Sequence, residues 1–161
     1  MSDWDKSKWG DGPWESEPDE KRWKDWETGY QCLILRGPVG ALCGYVGVPL
    51  DHPAVGKSYY STDFDIDEII TGGAIEKAKI QKKINEIEVH GGLTYSGQSV
   101  PRDKDFYWFG FDCAHSGDFC PAIARVTHFD GVPYDSGDIY RDFAYVESQC
   151  TLLAKQLRAV Q

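Results

Sequence analysis

Tyr30-Gln-Cys-Leu-Ile-Leu-Arg36, then Gly37-Pro38 and Gly40, then Leu42-Cys-Gly-Tyr-Val-Gly-Val48, is the stretch on which the fold turns. Two short apolar runs flank residues that suit a tight turn, so the pattern predicts a β-hairpin. Past Pro49, Pro53 and Gly56 mark a polar loop that carries His52, Lys57, Ser58, Tyr59 and Tyr60. Ile80, Ile84 and Ile87 then recur at helical spacing, which predicts a helix with its core from Ala74 to Asn85 and with Lys77, Lys79, Lys82 and Lys83 on a solvated face. The run from Ile87 to Tyr95 alternates and breaks at Gly91-Gly92, as a strand does where backbone must approach something closely. Phe106-Tyr-Trp-Phe-Gly-Phe111 reads as a central strand covered on both faces. Ile139, Phe143, Val146, Cys150, Leu153 and Leu157 step by four and three, the stripe of a long amphipathic helix for which Ser136 or Asp138 would serve as N-cap. Strands and helices do not alternate strictly, so the expected fold is α+β: an antiparallel sheet with the long C-terminal helix and a second helix packed on one face.

Composition bounds this reading. A chain of 161 residues, 41% hydrophobic, fits one domain with a core large enough to need neither disulfides nor metal. No apolar run approaches the roughly 20 residues that span a bilayer, so neither a membrane segment nor a signal peptide is expected. Twenty-six acids against 17 Lys and Arg give a net charge of -9, which repels phosphate backbones and argues against nucleic acid as a partner. A small anion remains open, because local backbone N–H groups and a few cations override the global field. Five cysteines without a CxxC pair suit a reducing cytoplasm; Cys32, Cys43 and Cys150 read as core residues.

Residues 1 to 28 hold Trp4, Trp9, Trp14, Trp23 and Trp26 among nine acids and five bases. Solvated tails are poor in aromatics, so this Trp-rich N-terminal arm is expected to lie against the body, residues 29 to 161, or against a partner.

Two segments concentrate chemistry: His90-Gly91-Gly92-Leu93-Thr94-Tyr95 and Asp112-Cys113-Ala114-His115-Ser116-Gly117-Asp118. Each sets a His beside small residues at an expected strand end, where uncovered N–H groups and an imidazole can meet a ligand. The candidate ligand-binding set is His90, Gly91, Gly92, Thr94, Tyr95, Asp112, His115, Asp118 and Arg141, the last from the start of the long helix. Two imidazoles with carboxylates would suit a divalent ion, an acid/base pair or simple hydrogen bonding to a ligand, and a Cys113 and His90 nucleophile pair is a further alternative. HExxH, GxGxxG and Walker-type spacings do not occur, so no metal ligand and no cofactor is assigned.

Gly12-Pro-Trp-Glu-Ser-Glu-Pro-Asp19, Cys43-Gly-Tyr-Val-Gly-Val-Pro49, Val89-His-Gly-Gly-Leu-Thr94, Trp108-Phe-Gly-Phe-Asp-Cys-Ala-His-Ser-Gly-Asp118 and Tyr140-Arg-Asp142 resemble a family of small uncharacterised proteins of phages and prophages. The likeness runs from about residue 12 to residue 158, and residues 61 to 86 depart from it as an insertion would. The resemblance implies a protein made in the cytoplasm of an infected bacterium, where small phage proteins include counter-defence factors that sequester or cleave nucleotide immune signals. The expectation drawn is a module that binds a nucleotide-like small molecule. A hydrolase of such a ligand and a protein-binding inhibitor using the Trp-rich arm are the alternatives.

Overall fold

The structure, a computed structural model, describes residues 4 to 61, 73 to 124 and 137 to 160. Among these, five strands, β1 (Glu20–Lys24), β2 (Gln31–Arg36), β3 (Leu42–Pro49), β4 (Tyr95–Gly97) and β5 (Phe106–Asp112), form one antiparallel sheet in the order β1-β2-β3-β5-β4. The hairpin read from the sequence is β2 and β3, with Cys32 opposite Val46 and Ile34 opposite Gly44. Among the described residues three α-helices, α1 (Gly73–Asn85), α2 (Pro121–Ala124) and α3 (Phe143–Arg158), complete an α+β fold. No helix among the described residues is long and apolar enough to cross a membrane.

Alternate strand residues share a face. Cys32, Ile34, Val46, Val48, Phe109 and Phe111 therefore make one apolar layer, covered by Val146, Cys150, Leu153, Ala154 and Leu157 of α3 and joined by Ile84 and Ile87 from α1 and the turn after it. α3 lies close over Gly44, where a Cβ would run into the Phe111 ring and stand 3.0 Å from Cys150 Sγ. The opposite face buries Leu33 and Trp108, with the Arg22 guanidinium 5.4 Å from the Trp108 ring. The α1 lysines are exposed, as a solvated face should be.

Three local expectations are corrected. Ile87 to Thr94 is not a strand; only Tyr95–Gly97 is. Side chains of α3 take up its backbone instead: Glu88 N–H donates to Gln156 Oε1, Gln156 Nε2 donates to the Glu88 carbonyl, and His90 N–H donates to Gln149 Oε1. Gly91 at φ 68° and Gly92 at φ 79° then turn the chain back, a conformation glycine adopts without the Cβ penalty. The long helix starts at Phe143 rather than Ile139, capped by Asp142, whose side chain accepts from Tyr145 N–H at 2.9 Å. Asp138 does not cap it, Ser136 lies outside the described residues, and Ile139 is exposed and bridges Asp118 in parallel.

The segment before residue 29 is part of the sheet, since β1 pairs with β2 along its full length. Its rings are used internally: Trp14 stacks on Phe119 with centroids 5.6 Å apart, Trp9 is buried and Trp23 joins the core, while Trp26 is 90% exposed. Of residues 61 to 86, 62 to 72 lie outside the described residues, whereas Ile84 belongs to the core.

His52, expected in an exposed polar loop, is buried. Its Nδ1 accepts from Ala54 N–H at 3.0 Å and its Nε2 donates to the Leu157 carbonyl at 2.9 Å. An imidazole that accepts at one nitrogen must be neutral, and burial pushes its pKa down accordingly.

Candidate functional site

β5 ends at Asp112, and the chain turns through Cys113 to Asp118 beneath the segment that leads into α3. That turn and the Gly91-Gly92 turn meet, which brings His90 and His115 together with ring centroids 6.2 Å apart. The close approach depends on Gly91, because a Cβ there would fall within the His115 ring.

Asp118 is the hub. Its side chain is 1% exposed, and its carboxylate accepts from His90 Nε2 at 2.7 Å, from Arg141 Nε at 3.1 Å and from His115 N–H at 3.0 Å. Burial raises the carboxyl pKa, but these donors outweigh it and hold Asp118 below the ordinary carboxylate range. An ionised carboxylate only accepts, so His90 carries its hydrogen on Nε2. His90 Nδ1 then accepts the hydroxyl hydrogen of Tyr145, 2.7 Å away. The Arg141 guanidinium lies 4.8 Å from the centre of the Tyr145 ring, a cation–π arrangement.

His115 differs from its neighbour. Its Nε2 is covered and lies 3.3 Å from Asp112 Oδ1 but outside hydrogen-bond geometry, so among the described residues it is a buried nitrogen without a hydrogen-bond partner, while the imidazole as a whole is about a third exposed. Asp112 is otherwise occupied, accepting from Ala114 N–H at 3.0 Å and Thr94 Oγ1 at 3.1 Å. Buried polar groups are ordinarily satisfied, and an exception calls for a reason.

Of the nine residues read from the sequence, the structure gathers His90, Gly91, Asp112, His115, Asp118 and Arg141, with Thr94 reaching in through Asp112 and Gly92 completing the turn. Tyr95 is directed elsewhere: its hydroxyl accepts from Ser99 and Val100 N–H at 3.0 Å each, and its ring meets Tyr45 on the face opposite α3. Cys113 is buried and burial pushes its thiol pKa up, which removes the Cys113 and His90 nucleophile pair. Among the described residues no group of three or more His, Cys, Asp or Glu is arranged to hold a metal ion, and both His90 nitrogens are already engaged.

Sequence reasoning missed Tyr145 and Gln149 as members of the site. Their signal was available: with Arg141 they recur every fourth residue, the spacing that lines up one helix face. Two grooves elsewhere, ≈ 240 and ≈ 440 Å³, lie between α1 and the end of α3. The larger is lined by Ile80, Val160 and lysines, of which Lys79 and Lys82 face Glu76 and Glu86 at 3.3 and 3.9 Å. Compared with known proteins, the chain matches no protein family, no curated protein and no solved structure.

Proposed function

We propose that this protein binds a small nucleotide-like molecule through its phosphate, at the turn formed by His115, Arg141 and the Gly91-Gly92 pair. The observation that carries the reading is His115: its imidazole is about a third exposed while its covered Nε2, among the described residues, has no hydrogen-bond partner, in a cluster whose other polar groups are nearly all engaged. Arg141 supports it. Only its Nε is bonded, to Asp118, so among the described residues the two terminal nitrogens keep the forked face that suits a phosphate. Gly91 gives its side-chain space to the His115 ring, and Gly92 beside it has no neighbour within 4 Å of where a Cβ would stand. The departure of Tyr95 moves the weight of recognition from base stacking to the phosphate end. The likeness to phage proteins adds a biological setting, the sequestering of a host nucleotide signal in the bacterial cytoplasm.

Calorimetric titration with ATP, a cyclic dinucleotide and inorganic phosphate tests the reading. The wild type binds at least one nucleotide more tightly than phosphate, and Arg141→Ala and His115→Ala each weaken that affinity by about tenfold or more, as loss of a charge-assisted hydrogen bond should. A wild type that binds none of the three overturns it.

A further inference from the structure

We infer that Tyr145, His90 and Asp118 form a nucleophilic triad, with the Tyr145 hydroxyl as the attacking group and a phosphate diester as its substrate. The diester rests on the nucleotide-ligand reading above; the triad rests on its own geometry. A nucleophile within hydrogen-bond reach of a base, which is in turn oriented by a third group, is the general arrangement that activates a hydroxyl. Here the two links are Tyr145 hydroxyl to His90 Nδ1 and His90 Nε2 to Asp118, each 2.7 Å. Asp118 is fixed from two further sides by Arg141 and the His115 amide, so the imidazole is held in the tautomer whose free lone pair faces the phenol. Gln149 holds the His90 backbone from the same helix that carries Tyr145, which keeps base and hydroxyl in register. A purely structural hydrogen-bond chain needs neither the guanidinium 4.8 Å from the ring nor an unbonded imidazole 6.2 Å from the base.

In the first step the Tyr145 oxygen attacks phosphorus while its proton passes to His90 Nδ1, and the imidazolium so formed is stabilised by Asp118. The bond from phosphorus to the leaving oxygen breaks, and that oxygen departs with a proton from His115 as the alcohol. The terminal nitrogens of Arg141 meet the charge on the non-bridging oxygens. In the second step water attacks the phosphotyrosine, one of its protons passes to His115, and the Tyr145 oxygen recovers its proton from His90. The net reaction is hydrolysis of a diester to a monoester and an alcohol, with water as the sole co-reactant.

Bis(4-nitrophenyl) phosphate added to the full chain tests this. The expected result is a burst of about one equivalent of nitrophenolate per chain followed by slower turnover, the kinetic mark of a covalent intermediate. Intact mass and peptide mapping then place a 4-nitrophenyl phosphoryl adduct on Tyr145. Tyr145→Phe, which keeps the ring and removes only the hydroxyl, loses burst and adduct, and His90→Gln slows the burst about a hundredfold, the scale of a lost general base. No nitrophenolate above buffer, or a burst that survives in Tyr145→Phe, overturns the triad. Nucleotide binding by a wild type that forms no adduct overturns the triad alone. An adduct on Tyr145 in a protein that binds no nucleotide overturns the ligand reading alone.

Discussion

Tyr140 and Arg141 are adjacent in sequence, yet they serve two clusters of opposite design. Tyr140 turns into a cluster around Arg36, whose side chain is 0% exposed and whose guanidinium is bonded at every nitrogen: Nε to Asp19 at 2.7 Å, Nη1 to the Gly40 carbonyl at 2.9 Å and Tyr140 Oη at 2.8 Å, Nη2 to the Pro18 carbonyl at 3.1 Å. Glu17 closes it, accepting from the Tyr140 hydroxyl at 2.6 Å and from Phe143 N–H at 2.9 Å. Arg141 turns instead towards Asp118, where, among the described residues, one guanidinium nitrogen is engaged and His115 Nε2 has no hydrogen bond. Both clusters centre on a buried charge, but one is saturated and the other is left open on one side. A saturated buried network holds structure together, here the N-terminal segment against the start of α3. A network with spare donors beside a glycine turn is where the proposed ligand would be received. Burial of charge therefore does not by itself mark a functional site; incompleteness does.

That contrast makes Arg36 the most costly residue to remove. Arg36→Ala takes the guanidinium from the half-buried Glu17 and Asp19, leaving Lys6 beside Asp19, and should lower stability by about 3 kcal/mol in urea denaturation, the low end of the range for breaking a buried ion pair. A loss under about 1 kcal/mol, the size of an exposed pair, would show that the closed cluster does not secure the N-terminal segment.

Gly91→Ala strikes the open cluster through its backbone. The new Cβ runs into the His115 ring from a residue at φ 68°, so stability should fall by about 1–3 kcal/mol and nucleotide affinity should fall with it. Unchanged affinity in the titration would separate the glycine turn from the ligand.

Acid tells the carboxylate clusters apart from a third buried group, His52. Its folded pKa lies below its unfolded value, so the unfolded chain takes up the proton first; stability is complete above about pH 6.5 and declines as pH falls towards the folded value. Asp118, shifted down as a carboxylate, adds stability that is present above its ordinary value near 4 and is lost only as pH falls further, through its folded value. Thermal melts between pH 7 and pH 5 should therefore show a slope in the wild type that flattens in His52→Gln, and an equal slope in both would assign the loss to other groups.

The smallest effect on stability is expected at His115, the residue on which the proposed binding rests. His115→Ala removes a partly exposed ring from a polar turn and should shift stability by less than about 1 kcal/mol while weakening nucleotide binding. A large destabilisation would make the open cluster as structural as the closed one.

Legibility in the sequence followed the same division. The hairpin and the α3 stripe were readable because periodicity reports directly on which side of an element meets the core, as Ile34, Val46, Cys150 and Leu153 show. The pairing of His90 with His115 was readable because glycines beside a histidine announce a turn that something approaches. β1 was not: Glu20-Lys21-Arg22-Trp23-Lys24 has no apolar alternation, since four of its five side chains are charged and its pairing rests on backbone hydrogen bonds to β2. Nor was the Arg36 cluster, whose members Lys6, Glu17, Asp19, Arg36 and Tyr140 are brought together only by the finished fold. The strand expected over Ile87 to Thr94 failed because alternation cannot distinguish a neighbouring strand from glutamines on a helix as the partner of a backbone.

The composition of β1 has a consequence for the protein in concentrated solution. An antiparallel sheet ends in two rows of backbone donors and acceptors, templates on which another chain could continue the ladder into a fibril. On one side that row is carried by a strand with the sequence Glu20-Lys21-Arg22-Trp23-Lys24, whose four charged side chains a docking copy would have to strip of water. On the other side β4 is three residues long, too short to offer a foothold of any strength. The same charges that hid β1 from periodicity guard the sheet against polymerisation.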